Sequence, residues 1–138
     1  MERGRTMPVL NPTFACNRFF EELCTIPHGS YHESAVADWL VAFAQQRGLS
    51  HYRDDMHNVI IRKPASAGYE DRPAVMLQAH TDMVCEKNAD CAHDFSKDPL
   101  SLYIEDGWLK ARGTTLGADD GYGVSWMLAI LDLSLIHI

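Results

Sequence analysis

The sequence predicts an α/β fold, in which a mixed sheet is flanked by helices. Residues 12–26 and 31–47 carry apolar side chains at helical spacing. Residues 74–79 (AVMLQA) form a short, nearly continuous apolar run, as expected of a strand that is buried on both faces. The alternation of helices and strands along the chain is typical of α/β domains. A length of 138 residues allows one such domain with a real core.

Two helices are predicted before the first strand. The helix over residues 12–26 begins with a proline, which suits a first helical turn, and is expected to end before the proline at position 27. The helix over residues 31–47 is marked by Ser30 and Glu33, which have the spacing of a capping box. Gly48 follows it and is expected to adopt the left-handed conformation of a C-terminal cap.

The strands and the last helix follow in the second part of the chain. Residues 58–63 (NVIIRK) are rich in β-branched side chains and predict a strand. Residues 74–79 predict the buried strand, and residues 101–112 predict a hairpin around the turn Glu105-Asp106-Gly107. A glycine-rich segment, residues 113–123, then leads into a buried helix that is expected to open at residues 124–131.

The charge and the cysteines limit the classes of partner and location. The 12 basic and 19 acidic residues give a formal net charge of −7, which repels phosphate backbones, so nucleic acid is not an expected partner. No apolar run reaches the roughly 18 residues that a membrane span requires, so no membrane partner is expected. The first ten residues lack the apolar stretch of a secretory leader. The four cysteines are therefore expected to be reduced thiols of a cytoplasmic protein.

A candidate metal ligand, His80, directly follows the predicted buried strand. Open α/β sheets place their sites at the carboxyl ends of strands, and an imidazole nitrogen suits zinc. Asp82 is expected to project to the same side if the extended chain continues. Its carboxylate can then accept the other imidazole N–H and fix the tautomer. Taken alone, this pattern also fits a histidine that only ends a strand.

Two adjacent carboxylates, Asp119 and Asp120, stand between glycines at the expected start of the last helix. A helix N-terminus favours this charge modestly, and a metal cation favours it far more. A carboxylate has two oxygens, so it can bridge two metal ions roughly 3.5–4 Å apart. The pair alone also fits an acidic N-cap in a loop. Together with His80, it indicates a metallohydrolase.

The other histidines are not expected to bind a metal ion, because they have no partner at ligand spacing. We expect them in surface or loop positions. These residues are His28, His32, His51, His57 and His93.

Two long stretches carry a resemblance to a known family. Residues 75–88 (VMLQAHTDMVCEKN) and 93–121 (HDFSKDPLSLYIEDGWLKARGTTLGADDG) are similar to the aminoacyl-histidine (Xaa-His) dipeptidases, also called cytosol non-specific dipeptidases. Residues 26–49 and 57–70 fit this family as well. The family is part of the wider group of two-zinc aminoacylases and carboxypeptidases. The resemblance implies a zinc-peptidase-like catalytic core, truncated in this chain.

The resemblance also implies roles for three residues and a backbone feature. His80 matches a zinc ligand, and Asp119 matches the carboxylate that bridges both zinc ions. Asp82 matches the catalytic carboxylate that orients and polarises the histidine. The peptide bond between Asp119 and Asp120 is expected to be cis.

The implied activity is the hydrolysis of dipeptides, both Xaa-His and others, by two Zn²⁺ ions with a bridging water. The glutamate general base, the remaining metal ligands and the lid domain, with a possible homodimer interface, are expected beyond the end of this sequence. We therefore expect the chain alone to be inactive. Two alternatives stay open, namely a short binding or vestigial protein without catalytic activity and a related two-zinc aminoacylase.

The predicted domain organisation has three regions. Residues 1–11 are expected to be an N-terminal extension, and residues 12–132 the N-terminal part of the catalytic zinc-peptidase domain. Residues 133–138 (LSLIHI) end the chain within an apolar element that has no cap. We expect them to be a non-native tail.

Overall fold

Three helices and four short strands make up the part of the chain that the computed structural model describes, residues 7–133. Residues 1–6 of the predicted extension and residues 134–138 of the predicted tail lie outside the described residues. The strands form two separate antiparallel pairs, β1 with β2 and β3 with β4. In chain order the elements are α1 (Ala15–Leu23), α2 (Ser34–Gln46), β1 (Ser50–Arg53), β2 (Val59–Arg62), β3 (Leu102–Glu105), β4 (Trp108–Ala111) and α3 (Ala118–Asp132).

The hydrophobic core lies where the three helices meet. It contains Phe19 from α1, Leu40 and Phe43 from α2, and Val124 and Leu128 from α3. The two residues from α2 are three positions apart and the two from α3 are four apart, so each pair shares one face of its helix. The rings of Phe19 and Phe43 meet edge to face, with 5.5 Å between their centroids. The core therefore holds α3 in place. The first residues of this helix include the two predicted carboxylates.

The first predicted helix is confirmed, but α1 (Ala15–Leu23) is shorter than residues 12–26. Before the helix, the side chain of Asn11 accepts a hydrogen bond from the backbone N–H of Thr13 at 3.0 Å and forms a local turn. After it, the hydroxyl of Thr25 donates to the carbonyl of Glu22 at 2.7 Å. Side-chain hydrogen bonds of this kind compete with the helical ladder and shorten the helix at both ends.

The second helix is also confirmed, but the predicted capping box is wrong. Helix α2 begins at Ser34 rather than at residue 31, and its N-cap, Glu33, makes no side-chain hydrogen bond to the helix. The Ser30 hydroxyl donates instead to the carboxylate of Asp82. This hydrogen bond to a charged acceptor orients the Ser30 side chain toward Asp82 rather than toward a backbone N–H of the helix. Gly48 has φ +63° and ends the helix in the left-handed conformation, as predicted.

The predicted strand at residues 58–63 and the predicted hairpin at residues 101–112 are both confirmed. The first is β2, whose partner β1 was not predicted. In the hairpin, β3 and β4 are joined by Asp106 (φ +53°) and Gly107 (φ +80°). Positive φ at both central residues is the geometry that matches the twist of two paired strands.

The predicted buried strand at residues 74–79 is wrong for the part of the chain that the structure describes. No strand is assigned there, and Val75, Met76 and Leu77 are 84%, 90% and 52% exposed. An apolar run is buried only if another element covers it, and within residues 7–133 only Ala79, at the end of the run, packs against the core. The α/β class is confirmed, but the described strands form antiparallel pairs rather than one mixed sheet. Among residues 7–133, parallel pairing is limited to a single bridge between Gly29 and Met83.

No helix between residues 7 and 133 has both the length and the apolar character that crossing a lipid bilayer demands.

A pair of substitutions tests which apolar residues stabilise this fold. Leu23→Ala removes a fully buried side chain and is expected to lower the free energy of unfolding by about 2–5 kcal/mol. Met76→Ala changes an exposed side chain and is expected to change it by no more than about 0.5 kcal/mol. Urea denaturation of both variants measures these effects. A large loss of stability in Met76→Ala would show that residues 74–79 are packed.

Candidate functional site

The three predicted site residues are brought together by the backbone around Met83. The Met83 N–H donates to the carbonyl of His28 at 3.0 Å, and the Ser30 N–H donates to the Met83 carbonyl at 3.2 Å. These bonds hold the residues before α2 beside the segment that carries His80 and Asp82. The Met83 side chain is buried and lies against Gly117, at the start of α3. The segment is therefore held against both neighbours.

The imidazole ring of His80 lies between two carboxylates. Its Nδ1 is 3.0 Å from the backbone oxygen of Asp82 and 3.1 Å from that residue's Oδ1. On the other side, its Nε2 is 3.1 Å from Oδ1 of Asp119. The hydrogen bond with Asp119 is the main cause that raises the pKa of His80 above its usual value. Asp82 and Asp119 thus contact opposite nitrogens of one ring.

The carboxylate of Asp82 is shared between two donors. The Ser30 hydroxyl donates to its Oδ2 at 2.5 Å, while its Oδ1 faces the His80 ring. The hydrogen bond from Ser30 is the main cause that lowers the pKa of Asp82 below its usual value, and the contact with His80 acts in the same direction. Asp82 is therefore ionised at neutral pH and can accept the imidazole N–H.

The start of α3 separates the two adjacent carboxylates. Gly117 has φ +70°, and both Asp119 and Asp120 depart from helical backbone angles. The peptide bond between the two aspartates is cis, as the resemblance implied. The carboxylate of Asp120 lies close to Gly123. A Cβ added to this glycine would be 2.2 Å from the Asp120 Oδ1. Asp119 instead faces His80 and is 99% exposed.

The donor set of the site fits a zinc ion in kind. The His80 Nε2 and the Asp119 carboxylate are a nitrogen and an oxygen donor, both common for zinc, and they approach each other from separate segments. Two donors are fewer than the three protein ligands of typical catalytic zinc sites. Across residues 7–133 no group of three or more His, Cys, Asp or Glu side chains could hold a metal ion.

Two dipeptidases are similar to this chain. No family model matches the chain. The cytosol non-specific dipeptidase of Escherichia coli (strain K12) is 52% identical over 119 residues, which are 86% of this chain and 24% of the relative. The crystal structure of an aminoacylhistidine dipeptidase from Vibrio alginolyticus matches with a TM-score of 0.83 and 47% identity, over 86% of this chain and 24% of that one. The resemblance to the aminoacyl-histidine dipeptidase family is confirmed in both sequence and fold.

The chain spans about a quarter of the length of these two dipeptidases. A tripeptidase from Staphylococcus aureus has a TM-score of 0.68 at 23% identity, and the match covers 89% of this chain and 32% of that one. At this identity the match shows a likeness of fold alone.

The burial of one residue beside the candidate site was not predicted from the sequence. His28 was expected in a surface or loop position, but it is only 3% exposed, and its Nδ1 lies 2.5 Å from the carbonyl oxygen of Ile26. Burial is the main cause that lowers its pKa below the usual 6.5, although the charge of Asp82 acts in the opposite direction. No periodic pattern of apolar residues in the sequence predicts that His28 is buried. The other four histidines in this group are exposed or half-buried, as predicted.

The four cysteines, all within the described residues, are free thiols, as predicted. Burial is the main cause that raises the pKa of Cys24 to about 12. The pKa of Cys85 is also raised, mainly by burial. Both thiols are therefore protonated at neutral pH and are poor nucleophiles.

The buried position of His28 predicts a pH dependence of stability. The pKa of His28 is lowered in the folded state. The stability that depends on its neutral form is therefore fully present above pH 6.5 and is lost as the pH falls through the folded-state pKa. His28→Gln does not titrate and is expected to lose less stability than the wild type between about pH 7.5 and about pH 5.5. Urea denaturation at both pH values measures the difference. His51→Gln alters an exposed histidine and is the matched control. Equal losses in His28→Gln and the wild type would contradict the prediction.

Proposed function

We propose that this chain supplies part of the active site of a metal-dependent dipeptidase that hydrolyses Xaa-His and other dipeptides. The observation that carries the proposal is the 3.1 Å approach of the His80 Nε2 to the Asp119 carboxylate. This pair of donors occurs in a chain whose relatives are named as dipeptidases. The family resemblance and the site chemistry thus point to the same reaction class.

Two Zn²⁺ ions are the proposed cofactors, held in part by His80 through its Nε2 and by Asp119 through its carboxylate oxygens. When bound, such ions supply an acidified water as the nucleophile and stabilise the oxyanion that forms at the scissile carbonyl. Because the side chain of Asp119 is 99% exposed, its carboxylate is accessible to ligands. A carboxylate has two oxygens, so Asp119 would suit the role of a ligand shared by two ions.

Asp82 is the proposed catalytic carboxylate that supports His80. Its Oδ1 and its backbone oxygen both face the Nδ1 of the ring, which favours the tautomer with the proton on Nδ1. In that neutral tautomer the Nε2 lone pair would be available to a metal ion, in place of the hydrogen bond with Asp119. The same contact increases the basicity of the ring, because the carboxylate stabilises positive charge on it.

Substrate class, location and assembly follow from the same resemblance. Dipeptides are the proposed substrates, and the net charge of −7 disfavours nucleic acid as a partner. A cytoplasmic location is proposed, which the name of the E. coli relative supports. A homodimer is proposed for a protein of the relatives' full length.

The isolated chain is proposed to be inactive. Among the described residues, the proposed metal ligands are His80 and Asp119, and two protein ligands are too few to hold a stable pair of zinc ions. Purified chain incubated with Zn²⁺ is therefore expected to leave Ala-His and Ala-Ala intact. Hydrolysis that is lost on chelation would overturn this part of the proposal.

A chimera tests the catalytic part. In it, residues 12–132 of this chain replace the equivalent segment of the E. coli dipeptidase, which is 52% identical to the chain over 119 residues. The chimera is expected to hydrolyse dipeptides, because the remaining parts come from a protein of that activity. Its His80→Ala and Asp119→Ala variants are expected to lose hydrolysis and Zn²⁺ binding. The matched control is His51→Ala, which alters an exposed histidine and is expected to retain both.

The outcomes of the chimera experiment separate the proposal from its alternatives. Hydrolysis of acylated amino acids in place of dipeptides would favour the two-zinc aminoacylase. A folded chimera without hydrolysis would favour a non-catalytic binding or vestigial protein. Activity that survives both Ala substitutions would refute the roles of His80 and Asp119.

A further inference from the structure

The geometry points to Ser30 as a positioning residue that holds Asp82 in the orientation in which it supports His80. The significance of this contact for metal binding rests on the proposed function. The contact itself, 2.5 Å between the Ser30 Oγ and the Asp82 Oδ2, links residues 52 positions apart in the chain.

The two oxygens of the Asp82 carboxylate have different partners. Its Oδ2 accepts from the Ser30 hydroxyl, and its Oδ1 lies 3.1 Å from the His80 Nδ1. A carboxylate with one partner can rotate about its side-chain torsions and still keep that contact. With a second donor on the other oxygen, the plane of the carboxylate is fixed, and the Oδ1 stays directed at the ring.

The backbone holds Ser30 at the distance that this hydrogen bond requires. The Ser30 N–H donates to the Met83 carbonyl at 3.2 Å, and the Ser30 Oγ lies 3.5 Å from the same carbonyl oxygen. Gly29 allows the close approach, since a Cβ there would lie 2.5 Å from the Sγ of Cys85. The hydroxyl is thus carried on a segment that is paired with the segment of Asp82.

Capping of α2 does not account for the placement of Ser30. The helix begins four residues later, at Ser34, and has Glu33 as its N-cap. Ser30 is also exposed, so loss of its hydroxyl leaves no cavity in the core. Its contact with Asp82 is therefore the interaction that a substitution to alanine removes most directly.

The orientation of Asp82 can be measured in the metal-free 138-residue chain. Three-bond NMR couplings that report the χ1 angle of Asp82 are expected to show one rotamer in the wild type and rotamer averaging in Ser30→Ala. Ser30→Thr keeps the hydroxyl and is expected to retain the single rotamer. Ser96→Ala is the matched control, because it removes a similar 2.6 Å hydrogen bond between Ser96 and Asp94 and is expected to leave Asp82 unchanged. Unchanged Asp82 couplings in Ser30→Ala would overturn the inference.

The consequence for metal binding has its own readout. In a Zn²⁺ titration of the metal-free chimera, its Ser30→Ala variant is expected to bind Zn²⁺ about 10-fold more weakly than the unsubstituted chimera. Its Ser30→Thr and Ser96→Ala variants are expected to match the unsubstituted chimera. Circular dichroism of all variants checks that they remain folded, since a role in folding alone would leave the zinc affinity of the folded chimera unchanged.

The two readouts separate failure of this inference from failure of the proposed function. If the unsubstituted chimera binds no Zn²⁺ but Ser30→Ala releases Asp82 in the 138-residue chain, Ser30 is a positioning residue and the proposed metal site is wrong. If the chimera and its Ser30→Ala variant bind Zn²⁺ equally well, the metal site stands and the role of Ser30 in it is refuted.

Discussion

The backbone pairing of Met83 with His28 and Ser30 is the constraint on which the candidate site depends. Two hydrogen bonds, one donated by the Met83 N–H and one accepted by its carbonyl, join the segment before α2 to the segment that carries His80 and Asp82. The buried Met83 side chain lies against Gly117 at the start of α3. Because this glycine has no Cβ, α3 approaches closely enough for Asp119 to reach His80. One residue thus aligns three segments that are distant in sequence.

The helical core determines where the third of these segments lies. Helix α3 packs on α1, and Gly121 lies so close that an added Cβ would be 2.9 Å from a methyl carbon of Leu23. One turn further on, the hydroxyl of Ser125 is buried and donates to the carbonyl of Gly121 at 2.8 Å. Both contacts fix the first turns of the helix. The position of Asp119 is therefore coupled to the packing of residues that have no part in the chemistry.

Local signals in the sequence were sufficient to predict some features of the fold and of the candidate site. The turn at Asp106 and Gly107 was predictable because the backbone angles it needs are a property of those residues alone. His80, Asp82 and Asp119 could be selected by their chemistry and by the family resemblance. The structure then places the two aspartates on opposite nitrogens of the His80 ring.

Long-range competition explains the features that could not be predicted. Ser30 has the spacing of a capping box, but its hydroxyl donates to the carboxylate of Asp82, 52 residues later. No local pattern in the sequence predicts this partner. His28 is buried by elements that pack around it, so its neighbours in sequence give no sign of its burial. The apolar run at residues 74–79 satisfies the criteria for a core strand, but burial depends on what covers it.

The uncovered run also affects how the chain behaves in concentrated solution. Val75, Met76 and Leu77 present apolar side chains, and within residues 7–133 no neighbouring strand pairs with their backbone. Such a segment is a template for strand pairing between molecules, which leads to aggregation. The net charge of −7 opposes this association by repulsion, and added salt screens that repulsion. Added salt is therefore expected to promote association of the chain through this segment.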